Sequence, residues 1–185
     1  MSNVVNKHKT AIIIVGIVLA FVLLVVGAFA SANNKAVFYE EQINGAQANI
    51  NVAEKRRVDL VYNLVDAVQS YQEYEQQTLY YITNARTSID NGDIESAQTT
   101  INAVAEAYPE LKANENYQQL MDELAMTENS IAQYRNNYNE QVRAYNRLVR
   151  SFPNNIILGI LGYEKIETTY TNYDAPVDAP QNLFD

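Results

Sequence analysis

The sequence predicts an all-α protein in which an N-terminal transmembrane helix precedes an antiparallel up-and-down bundle of three to four long helices. Two observations lead to that prediction. One uncharged apolar run near the N-terminus is long enough to cross a bilayer. Apolar residues then recur at helical spacing, and residues 36–91 contain no proline and only one glycine, Gly45.

The apolar run at residues 10–32 has no charged side chain and consists mainly of Ile, Val, Leu, Ala and Phe. Because about twenty such residues span a hydrocarbon core, we predict a membrane anchor that contacts the lipid bilayer. A cleaved signal peptide is the alternative, since Lys7 and Lys9 precede the run and Ala28-Phe29-Ala30 has the small-x-small form of a cleavage site. The same two lysines favour an N-terminus inside the cell and an extracytoplasmic bundle.

The next apolar pattern runs from residue 36 to residue 90 and leaves two interpretations open. It predicts either one helix of fifty or more residues, which can continue from the membrane segment, or two helices that meet near Lys55-Arg56-Arg57. Arg57 falls on the apolar stripe, so it lies either at a solvated bend or inside the bundle beside an acid. We predict that Glu128 is that acid, because it also occupies an apolar register and an unpaired buried charge is costly.

Three helix boundaries are marked by local residues. Asn91-Gly92-Asp93 predicts a helix end followed by a helix start, with Asp93 as the N-cap. Pro109 ends the following helix because proline disfavours helical geometry in the residue before it. Asn114 is the predicted N-cap of the last long helix.

That last helix is predicted from Tyr117 to Phe152, where every seventh residue is aromatic or aliphatic. A neighbouring row on the same helix passes from alanines to Asn139 and Asn146. We predict that these two amides hydrogen-bond across the bundle and determine which helices face each other. A recognition surface for a partner is the alternative.

The chain after Phe152-Pro153 contains a short apolar burst at residues 156–161. We expect the burst to fold back and close one end of the bundle, with membrane or partner contact as the alternative. The polar, acidic stretch beyond it predicts a flexible tail. The predicted organisation is therefore a basic N-terminus (1–9), a membrane helix (10–32), a helical bundle (33–166) and a flexible acidic tail (167–185).

The composition argues against catalysis in the bundle. Cysteine is absent and His8, the sole histidine, precedes the membrane segment, so the bundle has no imidazole or thiol for a triad, a zinc site or a di-iron site. No glycine-rich phosphate loop is present. Beyond the apolar run, 11 basic residues stand against 22 acidic ones, which argues against nucleic acid as a partner. We predict no enzyme, no cofactor and no metal.

Tyrosine is the dominant aromatic residue, with fourteen in the chain, and many fall on helical stripes. Packing in the core is the default interpretation, because tyrosine buries a large area while its hydroxyl still finds a hydrogen-bond partner. A groove lined by Tyr and Asn that binds a ligand or peptide is the functional alternative.

A series of motifs, in order along the chain, closely resembles the bacterial LemA family. The motifs are Arg56-Arg57-x-Asp59-Leu60-x-x-Asn63-Leu64-Val65, Tyr108-Pro109-x-Leu111-Lys112-Ala113-Asn114, Glu123-Leu124-x-x-Thr127-Glu128-Asn129-x-Ile131-Ala132, Arg135-x-x-Tyr138-Asn139-x-x-Val142-x-x-Tyr145-Asn146 and Phe152-Pro153. The resemblance implies one N-terminal membrane helix, a soluble helical bundle and no catalytic residues to carry over. The family has no established enzymatic activity, and one branch is tied to magnetosome membrane formation. Tyr62 stands where the family usually has proline.

The function predicted from the sequence is that of a membrane-anchored, non-enzymatic scaffold or interaction module at the bacterial cell envelope. Its partner is expected to be another protein or a second copy of the chain. A sensor that uses the Tyr/Asn groove is the alternative. The residues predicted to serve structure or interaction are Arg56, Arg57, Asp59, Asn63, Glu128, Asn129, Arg135, Tyr138, Asn139, Tyr145, Asn146, Phe152 and Pro153.

Overall fold

A computed structural model describes residues 2–70, 76–167 and 169–170, with side chains described for residues 12–70, 78–167 and 169–170. Within these ranges the chain is helical and contains no strand, which confirms the all-α prediction. Most of the tail predicted at residues 167–185 lies outside the described residues. The helices are α1 (Ser2–Gln69), α2 (Gln76–Asp90), α3 (Ile94–Ala107), α4 (Pro109–Lys112), α5 (Glu115–Arg150) and α6 (Asn154–Ile160).

Helix α1 is a single helix of 68 residues that includes the apolar run and passes through Lys55-Arg56-Arg57 without a break. Neither glycine nor proline interrupts α1 at that triplet, so the prediction of two helices meeting there is wrong. A single helix to residue 90 is also wrong, because α1 ends at Gln69 and α2 begins at Gln76. Ser70 follows the end of α1, and its hydroxyl donates to the carbonyl oxygen of Ala67 at 2.8 Å, a local bond that competes with helix continuation.

The exposure of α1 changes along its length. None of the residues from 12 to 30 is buried, and this part of the helix is long and apolar enough to cross a membrane. From Ala32 onward, buried residues recur mostly every three or four positions, which is the pattern of a helix packed on one side. The buried positions are Ala32, Ala36, Ile43, Ala46, Ile50, Ala53, Leu60, Val61, Leu64, Val65 and Val68.

The chain divides into two compact units. The first unit comprises residues 1–45 and 138–185, and the second unit comprises residues 46–137. The second unit has a continuous hydrophobic core to which α1, α2, α3, α4 and α5 all contribute. Its largest fully buried side chains include Leu64 from α1, Ile101 from α3, Leu111 from α4 and Leu124 from α5.

The predicted helix boundaries in the second unit are confirmed. Gly92 adopts a positive φ of 81° between α2 and α3, a conformation that glycine adopts without steric cost. The Asp93 carboxylate accepts a hydrogen bond from the Ser96 backbone N–H at 3.1 Å and so caps α3. Pro109 is the first residue of α4, and the Asn114 side chain accepts from the backbone N–H of Tyr117 at 3.2 Å at the start of α5.

In the first unit, α6 follows the last turn of α5 after Phe152-Pro153. Ile157 and Leu158 are buried, as expected if the apolar burst at residues 156–161 folds back onto the helices. Other apolar residues of this burst are exposed. Val142 and Tyr145 from α5 are also buried in this unit. The non-helical residues 163–167, 169 and 170, hereafter the C-terminal segment, complete its described part.

Candidate functional site

The predicted proximity of Arg57 and Glu128 is confirmed in the second unit. Nη1 of Arg57 donates to Oε1 of Glu128 at 3.3 Å and joins α1 to α5. The side chains keep 29% and 35% of their surface exposed, so the pair is only partly buried. Solvent screens such a pair, and we expect it to stabilise the fold less than a fully buried pair would.

Two further ion pairs connect the same helices. Arg56 bonds Glu123 at 3.3 Å, and Arg135 Nη2 bonds Glu54 Oε1 at 2.8 Å. Arg56 and Arg57 pair in the first half of α5, whereas Glu54, earlier in α1, pairs with Arg135 further along α5, so the two helices run antiparallel in the second unit. These six charged side chains therefore join the two helices.

In the first unit, Asn139 and Asn146 each bond one residue of the C-terminal segment through both ends of the side-chain amide. Asn139 Nδ2 donates to the carbonyl oxygen of Tyr170 at 2.7 Å, and Asn139 Oδ1 accepts from the backbone N–H of Tyr170 at 2.9 Å. Asn146 makes the same two bonds to Ile166, both at 2.8 Å. The prediction that these amides bond across the bundle is wrong, because their partner is the backbone of a non-helical segment. The N–H and C=O groups of that segment are not paired within a helix, so they need partners from elsewhere.

These bonds attach the C-terminal segment to α5 at two points. Asn139 and Asn146 are seven residues apart, which corresponds to about 10.5 Å along a helix. The ring of Tyr138 also meets that of Tyr170 edge to face, with the centroids 5.2 Å apart and an interplanar angle of 78°. Asn139 is only 5% exposed, so its amide is covered by the contacts it makes.

The tyrosines of the first unit lie in polar contacts between chain segments. The Tyr163 hydroxyl donates to Oδ1 of Asn33 at 3.0 Å and connects the C-terminal segment to α1. Burial raises the pKa of Tyr145, and the negative charge of Glu40 and the nearby Tyr163 raise it further.

The remaining predicted residues are not drawn into one site. Asp59, Asn63 and Asn129 are exposed. Phe152 is 80% exposed at the corner between α5 and α6, and Pro153 is the N-cap residue of α6. Among the described residues, no group of three or more His, Asp or Glu side chains is placed to hold a metal ion.

The comparison with known proteins places these residues in a family. The model of the LemA family matches residues 46–184, which contain every candidate residue described above. The chain belongs to the LemA family. The protein LemA of Metamycoplasma hominis is 29% identical over 153 residues, an alignment that covers 74% of this chain and 70% of that protein.

Membership of the LemA family carries no known enzymatic activity. The matched region begins at residue 46 and so does not include the apolar run of α1. The prediction of a membrane segment therefore rests on the length, composition and exposure of that run alone. The ion pairs and Asn139 and Asn146 lie within the matched region.

Several contacts of this LemA-family chain were not foreseen from the sequence. Tyr62 donates its hydroxyl to Asp90 in α2, and that hydrogen bond is the main reason that the pKa of Tyr62 is raised. Glu54 and Glu123 flank the apolar stripes of their helices, and that flanking position is the signal by which they could have been found. Ile166 and Tyr170 bond through their backbone, which gives no signal in the sequence.

Proposed function

We propose that this LemA-family protein is a membrane-anchored, non-enzymatic scaffold or interaction module at the bacterial cell envelope. One observation carries the proposal. Every large aliphatic side chain from Ile12 to Val26 is exposed on α1. From Ala32 onward, the same helix buries residues along one side. A helix that is apolar all round is stable in a lipid environment, so the packed helices would be tethered to a bilayer.

The polar chemistry of the helices supports a non-enzymatic role. The sequence has no cysteine, and its only histidine is at position 8. The Arg57–Glu128 and Arg135–Glu54 pairs are hydrogen-bonded within the protein, and Asn139 is bonded to the C-terminal segment. These groups stabilise the packing of the chain.

A sensor with a Tyr/Asn-lined groove is the less favoured function. Asn139 and Asn146, which were expected to line such a groove, bond Tyr170 and Ile166 of the C-terminal segment. The ring of Tyr138 is covered by Tyr170. A ligand could use this face only by displacing that segment.

The surface that best fits a protein partner lies between α1 and α5 in the second unit. Val52, Met126 and Tyr134 are 71%, 67% and 37% exposed and line an open cleft of about 280 Å³. Arg56 and Glu123 form part of the same lining. Exposed apolar side chains beside charged ones are typical of protein interaction surfaces.

Photocross-linking from the full-length protein in its native membrane tests the proposed interaction. A benzophenone amino acid replaces Val52 or Met126 in separate variants, and Leu79, which is 48% exposed on α2, is the matched control position. We expect a defined cross-linked product from positions 52 and 126 and none from position 79. The same product from all three positions, or no product from any, would contradict an interaction at this cleft.

We propose that the bundle lies on the extracytoplasmic side, because Lys7 and Lys9 on the short side favour an N-terminus inside the cell. The chain has no cysteine, so a single cysteine at Met126 can be labelled alone. A membrane-impermeant maleimide should label that variant in intact cells. Labelling that requires lysis would place the bundle in the cytoplasm.

A further inference from the structure

Four exposed apolar side chains surround the corner between α5 and α6 in the first unit. Phe152 is 80% exposed, Ile156 56%, Ile160 69% and Leu161 44%. We call these four residues the corner patch. Exposed apolar residues grouped in this way mark a surface that another phase or molecule covers.

Helix α6 carries apolar side chains on two sides, and only one of these sides packs against the rest of the first unit. Ile157 and Leu158 are 8% and 0% exposed, so they hold α6 in the first unit. The corner patch occupies the exposed remainder. Residues 151–163 contain no charged side chain, so no charge within this stretch opposes transfer of the corner patch into an apolar medium.

Two contacts place the corner patch beside the end of the apolar run of α1. Tyr163, two residues after Leu161, bonds Asn33 at 3.0 Å, and Asn33 directly follows the apolar run. Ser151, which precedes Phe152, lines a cleft together with Ser31 and Lys35. The corner patch therefore lies where α1 would leave the hydrocarbon core.

The charges around the corner patch fit the headgroup layer of a bilayer. Lys35, Arg147 and Arg150 are exposed, and the first two line the same cleft as Ser31 and Ser151. Basic side chains next to a membrane attract anionic lipid phosphates. The acids Glu40 and Glu41 follow Lys35 by more than one helical turn, farther from the apolar run.

We propose that the corner patch inserts into the interfacial layer of the same bilayer that α1 crosses, with Lys35, Arg147 and Arg150 beside lipid phosphates. The inference rests on the proposed function, because α1 must first anchor the chain. Interfacial helices lie in the plane of the membrane and bury their apolar face about 5–10 Å into the boundary between headgroups and acyl chains, so α6 would lie along that boundary. Insertion would give the first unit a second membrane attachment and restrict its rotation about α1.

Spin labelling of the full-length protein in nanodiscs of phosphatidylcholine and phosphatidylglycerol tests this proposal. Because the chain has no cysteine, Ile160→Cys carries the only label. Leu23→Cys in the apolar run and Met126→Cys in the second unit are controls, and these three positions are 69%, 71% and 67% exposed. Collision with oxygen reports lipid contact, and collision with a water-soluble nickel chelate reports contact with water.

We expect nickel collisions at position 160 to be several-fold fewer than at position 126 but more frequent than at position 23, because position 23 lies near the middle of the apolar run and position 160 at the interface. Nickel collisions at position 160 equal to those at position 126 would overturn the proposal. Low collision with both reagents would also overturn it, because the corner patch would then be covered by a protein partner or a second copy. A water-exposed label at position 23 would instead refute the membrane anchor and with it the proposed function.

A second variant checks that insertion depends on the corner patch itself. Ile156→Glu places a charge one helical turn from position 160, at a side chain that is exposed and not needed for packing. Added to the labelled protein, it should raise nickel collisions at position 160 towards the value at position 126 without changing the circular dichroism spectrum. Unchanged collisions would contradict insertion of this surface.

Discussion

The two stretches of helix α1 show how the same residue types serve two different surroundings. Before residue 27, large aliphatic side chains are exposed on every side, and Leu24 is 73% exposed. After residue 31, buried positions form one stripe, and Leu64 is 1% exposed. The first pattern suits a helix surrounded by lipid, whereas the second is that of a helix with neighbouring helices on one side. A residue that is committed to protein contacts should therefore respond more strongly to substitution than a matched residue that is more exposed.

The largest effect is expected from the two leucines. Leu64→Ala removes a buried side chain from the core of the second unit and should lower the free energy of unfolding by about 2–5 kcal/mol. Leu24→Ala should leave that free energy unchanged, because its side chain contacts no part of the core. Denaturant unfolding of the full-length protein in detergent, followed by circular dichroism, compares the two. Equal losses would mean that the apolar run is also packed against protein.

The next largest effect is expected from Asn139 of α5, in comparison with Asn129 on the same helix. Asn139→Ala removes both hydrogen bonds between the side-chain amide and the backbone of Tyr170. The free energy needed to open the C-terminal segment should fall by about 1–3 kcal/mol. Since 1.4 kcal/mol is a factor of ten, hydrogen exchange of the Tyr170 amide should accelerate roughly 5- to 150-fold. Asn129→Ala, at an exposed position of the same helix, should leave that exchange unchanged. Unaltered exchange in both variants would show that the segment is held by other contacts.

The features that depend on helical periodicity could be predicted from the sequence. Helix α5 was expected at residues 117–152 and occupies Glu115–Arg150, because the apolar pattern repeats over five heptads and the cap Asn114 and Pro153 bound it. The pairing of Arg57 with Glu128 was also predictable. A charge in an apolar register needs a partner, and few acids occupy such registers.

The contacts that the sequence did not predict involve backbone groups or non-helical chain. Asn139 and Asn146 were identified, but their partners are main-chain groups, which every residue possesses, so no side chain marks Ile166 or Tyr170 as the partner. The bond from Tyr163 to Asn33 joins residues 130 positions apart, and the turn after α6 that makes it possible has no periodic pattern. The end of α1 at Gln69 was missed because no proline or glycine marks it.

A smaller effect is expected from the ion pairs. Glu128→Gln should lower the free energy of unfolding by about 1 kcal/mol or less, because its side chain and that of Arg57 are about one third exposed. Glu123→Gln should cost less still, since its partner Arg56 is 64% exposed. A double-mutant cycle with Arg57→Gln isolates the pair. A coupling of 3 kcal/mol or more would show a pair more buried than the geometry indicates.

The smallest effect is expected at the N-cap of α3. Hydrogen bonds from the side chain and the backbone N–H of Ser96 hold the pKa of Asp93 below its usual value. A folded pKa below the unfolded one means that the stabilisation is present above pH 3.8 and disappears as the pH falls through the folded pKa. Asp93→Ala should therefore lower the melting temperature slightly at pH 7, and the difference from wild type should shrink with acidification. Asp93→Asn should retain the cap, and Asp59→Ala, at an exposed position within α1, should not show this pH dependence.

Retention of the apolar run in the mature protein is the most direct test of the account, because a signal peptide would have the same composition and would be removed. Intact-mass spectrometry of the protein purified from the membrane fraction decides between them. The anchor predicts a mass that includes residues 10–32, in protein that resists extraction by alkaline carbonate and dissolves only in detergent. A mature N-terminus at Ser31, after the small-x-small site, would contradict the anchor, the scaffold at the membrane and the inserted corner patch together.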